Sequence, residues 1–205
     1  MTDCIRESTT QHHCGFLRGF GPVADDETVV FAVFENTAHD PVDKAVLDGA
    51  FDRQQLHKGE HSIARLPYTT RHVFLNRVVK SGVPSKGALI GLVRAQVDVI
   101  RDLRFERPDR KGTLERAVCV IDSVEKDNFD GHAVLQYAEA VGGLSEGSKA
   151  KVRKKINLEL ATIFGEIVTL QDLHWPDWWT VMQRHMWTIG NAIAKALLPL
   201  IVSKK

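Results

Sequence analysis

Hydrophobic positions recur at spacings of three and four along much of this chain, and that period predicts helices. Behind the capping hydroxyls of Thr69 and Thr70, residues Phe74, Leu75, Val78 and Val79 fall on one face of a first central helix. Gly82 and Pro84 predict its stop, and Ser85 caps a second helix. That helix would carry Leu89, Leu92, Val93, Val97, Ile100 and Leu103 on its apolar face. It also contains Gly87 and Gly91, which would let another backbone approach closely. Asp40 and Pro41 predict a helix start, with Val42, Val46, Leu47 and Ala50 as its buried side. Leu114, Ala117, Val118, Ile121 and Val124 favour a helix over a strand for 115–122, and 132–141 reads as a short helix ended by Gly142 and Gly143. The longest pattern runs from 149 to 173, with Val152, Ile156, Leu160, Ile163, Phe164, Ile167, Leu170 and Leu173 along one side. A last helix opens at Pro176, and its stripe is Trp178, Met182, Met186, Ile189, Ile193, Leu197 and Leu200.

One stretch breaks the helical period. Thr28–Phe34 (TVVFAVF) is β-branched, aromatic and apolar on both faces, as a buried strand is. Residues 14–20 are its expected hairpin partner, since a strand needs a neighbour. The fold expected from these patterns is mainly α: a bundle-like single domain over 1–205 with a small N-terminal β-element, about six or seven helices, and a flexible start at 1–11.

Composition adds little to this picture, but charge does. At 205 residues, 43% hydrophobic and 26% charged, the chain is of globular type. No apolar run reaches the roughly 18 residues of a membrane span, and no secretory h-region opens the chain, so the expected compartment is cytoplasmic, without a membrane partner. The net charge of +1 conceals an uneven distribution. Residues 1–62 carry 5 Lys and Arg against 11 Asp and Glu, residues 63–116 carry 12 against 5, and residues 117–205 carry 10 against 10. The basic middle either pairs with the acidic N-terminal third or attracts phosphates.

The central helix pair around Ser81–Ser85 has the outline of a helix-turn-helix. The leading functional expectation is therefore binding of the DNA or RNA backbone, weak in sequence preference and without catalysis. The residues expected to carry it are Arg71, Arg77, Lys80, Lys86, Arg94, Arg101 and Arg104, joined by Lys151, Lys154 and Lys155, which sit against the dipole at the start of the long helix. A second expectation is assembly with a protein partner or a second copy through Trp175, Trp178, Trp179 and Trp187, four indoles within thirteen residues. A third is a zinc hydrolase. His57-Lys58-Gly59-Glu60-His61 fits the inverted zincin signature H-x-x-E-H, in which His57 and His61 would ligate zinc from one helix face and Glu60 would act as base. Gly59 opposes helix there, and a further ligand would have to come from elsewhere, with Glu125 or Glu139 as candidates. His39-Asp40 resembles the metal-binding dipeptide of HD-type phosphohydrolases, but Pro41 gives Asp40 a capping task instead. His12 and His13 beside Cys14 lack the paired spacing of a zinc site. The three cysteines, Cys4, Cys14 and Cys119, form no CxxC, so no disulfide framework is expected and Cys119 reads as a small core residue.

Overall fold

A computed structural model of the chain describes residues 22–51, 61–122 and 131–184, together with 186, 187 and 190. Its organising element is β1 (Thr28–Phe34), where six of seven residues are buried. Alternation along β1 feeds two separate cores. Val29, Phe31 and Val33 point to one face, and Val30, Ala32 and Phe34 to the other.

The partners of β1 are β4 (His61–Arg65) and β5 (Leu89–Gln96), both antiparallel. With β8 (Val118–Asp122) and β9 (His132–Tyr137) they form a five-stranded sheet in the order β5-β1-β4-β9-β8. Two small hairpins flank it: β2 (His39–Asp40) with β3 (Ala45–Val46), and β6 (Arg104–Glu106) with β7 (Leu114–Arg116). The expected mainly helical bundle is thus replaced by a mixed α/β fold. The hairpin partner proposed at 14–20 and the frayed start at 1–11 lie outside the described residues.

The misread elements share a physical cause. Val118–Asp122 and His132–Tyr137 are short, mostly apolar runs buried on both faces, Leu89–Gln96 is buried on both only at its centre (91–93), and such runs satisfy a helical period as readily as a strand. Tertiary pairing decides between the two. The register from Thr28 opposite Gln96 to Phe34 opposite Leu89 gives β5 the whole length of β1. Gly91 has the close-approach role its position suggested, though in a strand. A Cβ there would lie 2.7 Å from the Val168 carbonyl oxygen. Across this edge Leu92 and Val168 exchange both backbone hydrogen bonds, at 2.9 and 2.8 Å, so residues near 168 cover the strand edge.

Helices close both faces. On the first, α5 (Glu146–Phe164) buries Val152, Ile156, Leu160, Ala161 and Phe164 against the sheet. Gly165, at φ 65°, ends it nine residues before the expected stop at 173. On the second face, α1 (Arg71–Phe74) passes through a π-helical turn (Leu75–Val79) into α2 (Lys80–Lys86). The Thr70 hydroxyl caps its start, as the sequence suggested, but the helix runs through Pro84 to end at Gly87. Phe74 and Leu173 complete the second core, flanked by Val73, Val78, Val79 and Trp175. Two further helices among the described residues are the single turns α3 (Val97–Arg101) and α4 (Glu139–Gly142). The helix expected from Asp40 is a turn, in which the Asp40 carboxylate accepts from the amides of Val42 (2.7 Å) and Asp43 (3.1 Å).

Candidate interaction surface

Residues 178–184 are helical, as are 186, 187 and 190. Asp177 starts this helix by accepting the Thr180 amide at 2.7 Å, and that bond holds its carboxyl below the usual carboxylate range. Two contacts fix the root of the helix beside α1. The Trp175 ring lies 5.1 Å from that of Phe74, and the Arg184 guanidinium donates to the Pro67 carbonyl at 2.6 Å, one turn before α1 begins.

Beyond this root the helix displays apolar surface. Trp178, Trp179, Met186 and Trp187 are 64%, 63%, 66% and 72% exposed. Trp179, Met186 and Trp187 stand at i, i+7 and i+8, on one helix face, and the Trp178 ring is 6.5 Å from that of Trp179. Three indoles and a thioether at these exposures present on the order of 500 Å² of apolar area, the scale of a functional patch on a monomer. The apolar stripe read from the sequence is therefore partly on the outside, at Trp178 and Met186. Trp175, grouped with the other tryptophans as interface, belongs to the second core instead, where its indole N–H donates to the Leu170 carbonyl at 2.9 Å.

The expected phosphate-binding residues do not gather into one surface. Arg71, Arg77 and Lys80 are exposed along the stretch 71–86, which carries four Lys and Arg and no Asp or Glu. Lys86 is partly covered, with its ammonium 5.6 Å from the Phe34 ring centre. Arg94 is exposed on β5, on the same face of the sheet as α1 and α2. Arg101, by contrast, pairs with Asp25 at 2.6 Å and donates to the Val23 carbonyl. Arg104 folds back onto the carbonyls of Arg101 and Leu103. Lys151, Lys154 and Lys155 are exposed on α5, across the sheet from α1 and α2, so the two basic clusters face apart. Within the second cluster, Arg153 is buried against the Tyr137 ring.

Part of the basic excess is spent inside the fold. Arg65 is fully buried and grips both oxygens of Glu27, at 2.7 and 2.6 Å, with Asp122 at 3.4 Å and the Tyr68 ring beneath it. Burial works against its charge, and the Glu27 carboxylate more than offsets that, raising the Arg65 pKa. Sequence reading did not single out this group. Its only signal was an arginine directly following the apolar pair Ile63-Ala64 (HSIAR).

The zinc pattern is not assembled as a helical pair. His61 sits in β4 with its ring in the first core, 4.4 Å from Phe31 and 5.2 Å from Phe51. Burial, reinforced by Lys86, lowers its pKa to about 3, and neither ring nitrogen has a hydrogen-bond partner among the described residues. His57, Glu60 and Glu125 lie outside the described residues, and Glu139 opens α4. Among the described residues, no group of three or more His, Cys, Asp or Glu could hold a metal ion. Cys119 is disulfide-bonded rather than free, and the other cysteines, Cys4 and Cys14, lie outside the described residues.

Comparison of the chain with protein-family models, with curated proteins and with solved structures gave no match.

Proposed function

We propose that this chain is a non-enzymatic interaction module that docks through the tryptophan surface of its C-terminal helix. One observation carries the reading: Trp178, Trp179, Met186 and Trp187 remain more than 60% exposed on a helix rooted beside the second core. Indole is the side chain most favoured as a buried anchor of an interface, and leaving three in water forgoes their burial energy. A photo-crosslinking residue at Gln183, an exposed position between Trp179 and Trp187, tests the reading in the native cell. An adduct is expected there and none from Leu158, which is 59% exposed on α5. No adduct at 183, or equal adducts at both positions, would count against the proposal.

A second reading keeps its own support. The acid-free stretch 71–86 is suited to the phosphates of DNA or RNA, now without Arg101, Arg104 or the α5 lysines. It predicts nucleic-acid affinity falling with salt at a log-log slope of about −3, lost when Arg71 and Lys80 are reversed in charge. The disulfide at Cys119 favours an oxidising compartment over the cytoplasm expected from the sequence. Thiol labelling of protein taken directly from cells, with and without reductant, distinguishes the two.

A further inference from the structure

We infer that the partner of this surface is a second copy of the chain, docked antiparallel about a two-fold axis at Gln183. The inference rests on the interaction surface proposed above and names what covers it. At about 100° per residue, Trp179, Gln183, Met186, Trp187 and Gly190 share one side of the helix, and all five are exposed. Thr180, Val181 and Met182 are partly buried, and Arg184 donates to the Pro67 carbonyl. These positions mark the side turned to the body of the protein, and the exposed stripe lies opposite. Among the described residues from 178 to 190, Arg184 is the one charged side chain, and it lies off the stripe.

The stripe is complementary to itself. Trp179 and Trp187 lie four residues to either side of Gln183, so a two-fold axis there sets each indole against the other indole of the second copy. Gln183 meets its own copy on the axis, and an amide both donates and accepts, so each can satisfy the other. The described stripe carries no charge to oppose a like charge, and tryptophan and methionine without charged residues are the composition of an interface centre. The exposed cations Arg71 and Lys80 belong to the stretch that follows Pro67, on the body side of each helix. Two helices, each about 10 Å across, keep the two sets further apart than the Debye length of about 8 Å. Each copy offers on the order of 500 Å², so the pair would remove about 1,000 Å² from water, the least that a specific interface needs. An association of that size is weak, with a Kd of about 10–100 µM. A nucleic acid would need cations along the stripe itself, and its described positions carry none.

Light scattering of the full chain from about 1 to 500 µM tests the inference. The mass should rise from that of one chain to that of two and stop there, because a two-fold contact closes. Tryptophan emission should shift to the blue over the same range. The pair Trp179→Ser and Trp187→Ser should keep the protein monomeric throughout, with an unchanged thermal melt. Gln183→Glu and Gln183→Lys each set like charges against each other on the axis and should weaken association about tenfold or more, whereas an equal mixture of the two should associate at least as tightly as the native chain. A mass of one chain at every concentration, association that the tryptophan pair leaves undiminished, or no recovery on mixing overturns the inference. The crosslinker at position 183 keeps the two proposals apart. Its adduct should be a second copy of this chain. An adduct only with another molecule, from a chain that stays monomeric, overturns the second copy and leaves the interaction surface standing. A monomer with no adduct at 183 removes both.

Discussion

Two helical segments of this chain carry similar hydrophobic periodicity and come to opposite ends. In α5, Val152, Ile156, Leu160 and Phe164 are buried against the sheet, and the polar side faces out. In the C-terminal helix, Trp178 and Met186 belong to an equally regular stripe, yet both are about two-thirds exposed. Period alone fixes which residues share a face; it does not supply a surface for that face to meet. The sheet has two faces. Covering one takes α5, and the described part of the other is filled by α1, α2 and Phe74, Leu173 and Trp175. Among its described residues, the C-terminal helix is held at Trp175 and Arg184 and leaves Trp178, Trp179, Met186 and Trp187 exposed.

The sharpest way to break this contrast is to truncate one residue from each helix. Leu160→Ala, at a fully buried site, should cost about 2–5 kcal/mol in denaturant unfolding. Trp187→Ala removes a larger side chain and should stay within about 0.5 kcal/mol of the native protein, because that side chain is already in water. A comparable loss from both would mean that Trp187 packs against the fold.

A similarly large effect is expected inside the closed region, at Arg65. Glu27→Gln removes the negative charge that compensates the buried guanidinium and should cost about 3–5 kcal/mol, whereas the surface ion pair between Lys149 and the exposed Glu146 should contribute no more than about 1 kcal/mol. Equal effects would contradict the assignment of Arg65 to the interior.

His61 gives a pH signature for the same region. Its folded pKa, about 3, lies below the ordinary 6.5, so below pH 6.5 the unfolded chain takes up a proton that the native state refuses. Stability from this group is therefore complete above about pH 6.5 and falls towards pH 3, at most about 1.4 kcal/mol per pH unit. His61→Phe, which suits a ring already set between Phe31 and Phe51, should flatten that part of the profile and add about 1 kcal/mol at neutral pH. An unchanged acid limb in urea titrations would contradict it.

How much could be read in advance follows the same division. Thr28–Phe34 was legible as a strand because six consecutive apolar residues, most of them β-branched or aromatic, have no polar side to give a helix. The Thr70 cap and the body of α5 were legible because they are local. The strands at 89–96, 118–122 and 132–137 were not, since their identity depends on pairing with residues far along the chain. The fate of the cations was also non-local. Nothing adjacent to Arg65 or Arg101 announces Glu27 or Asp25 as partners, some 38 and 76 residues away. The tryptophans were recognisable as a cluster, and only tertiary placement separated Trp175 from the other three.

The most direct measurement of this contrast is iodide and acrylamide quenching of tryptophan fluorescence in the free protein, compared with a variant that keeps Trp175 alone. The native protein should show red-shifted emission with most of its intensity open to both quenchers, and the Trp175-only variant should be blue-shifted and largely protected. Native emission that is blue and resistant to quenching would mean that the C-terminal tryptophans are core, and the proposed interaction surface would not exist.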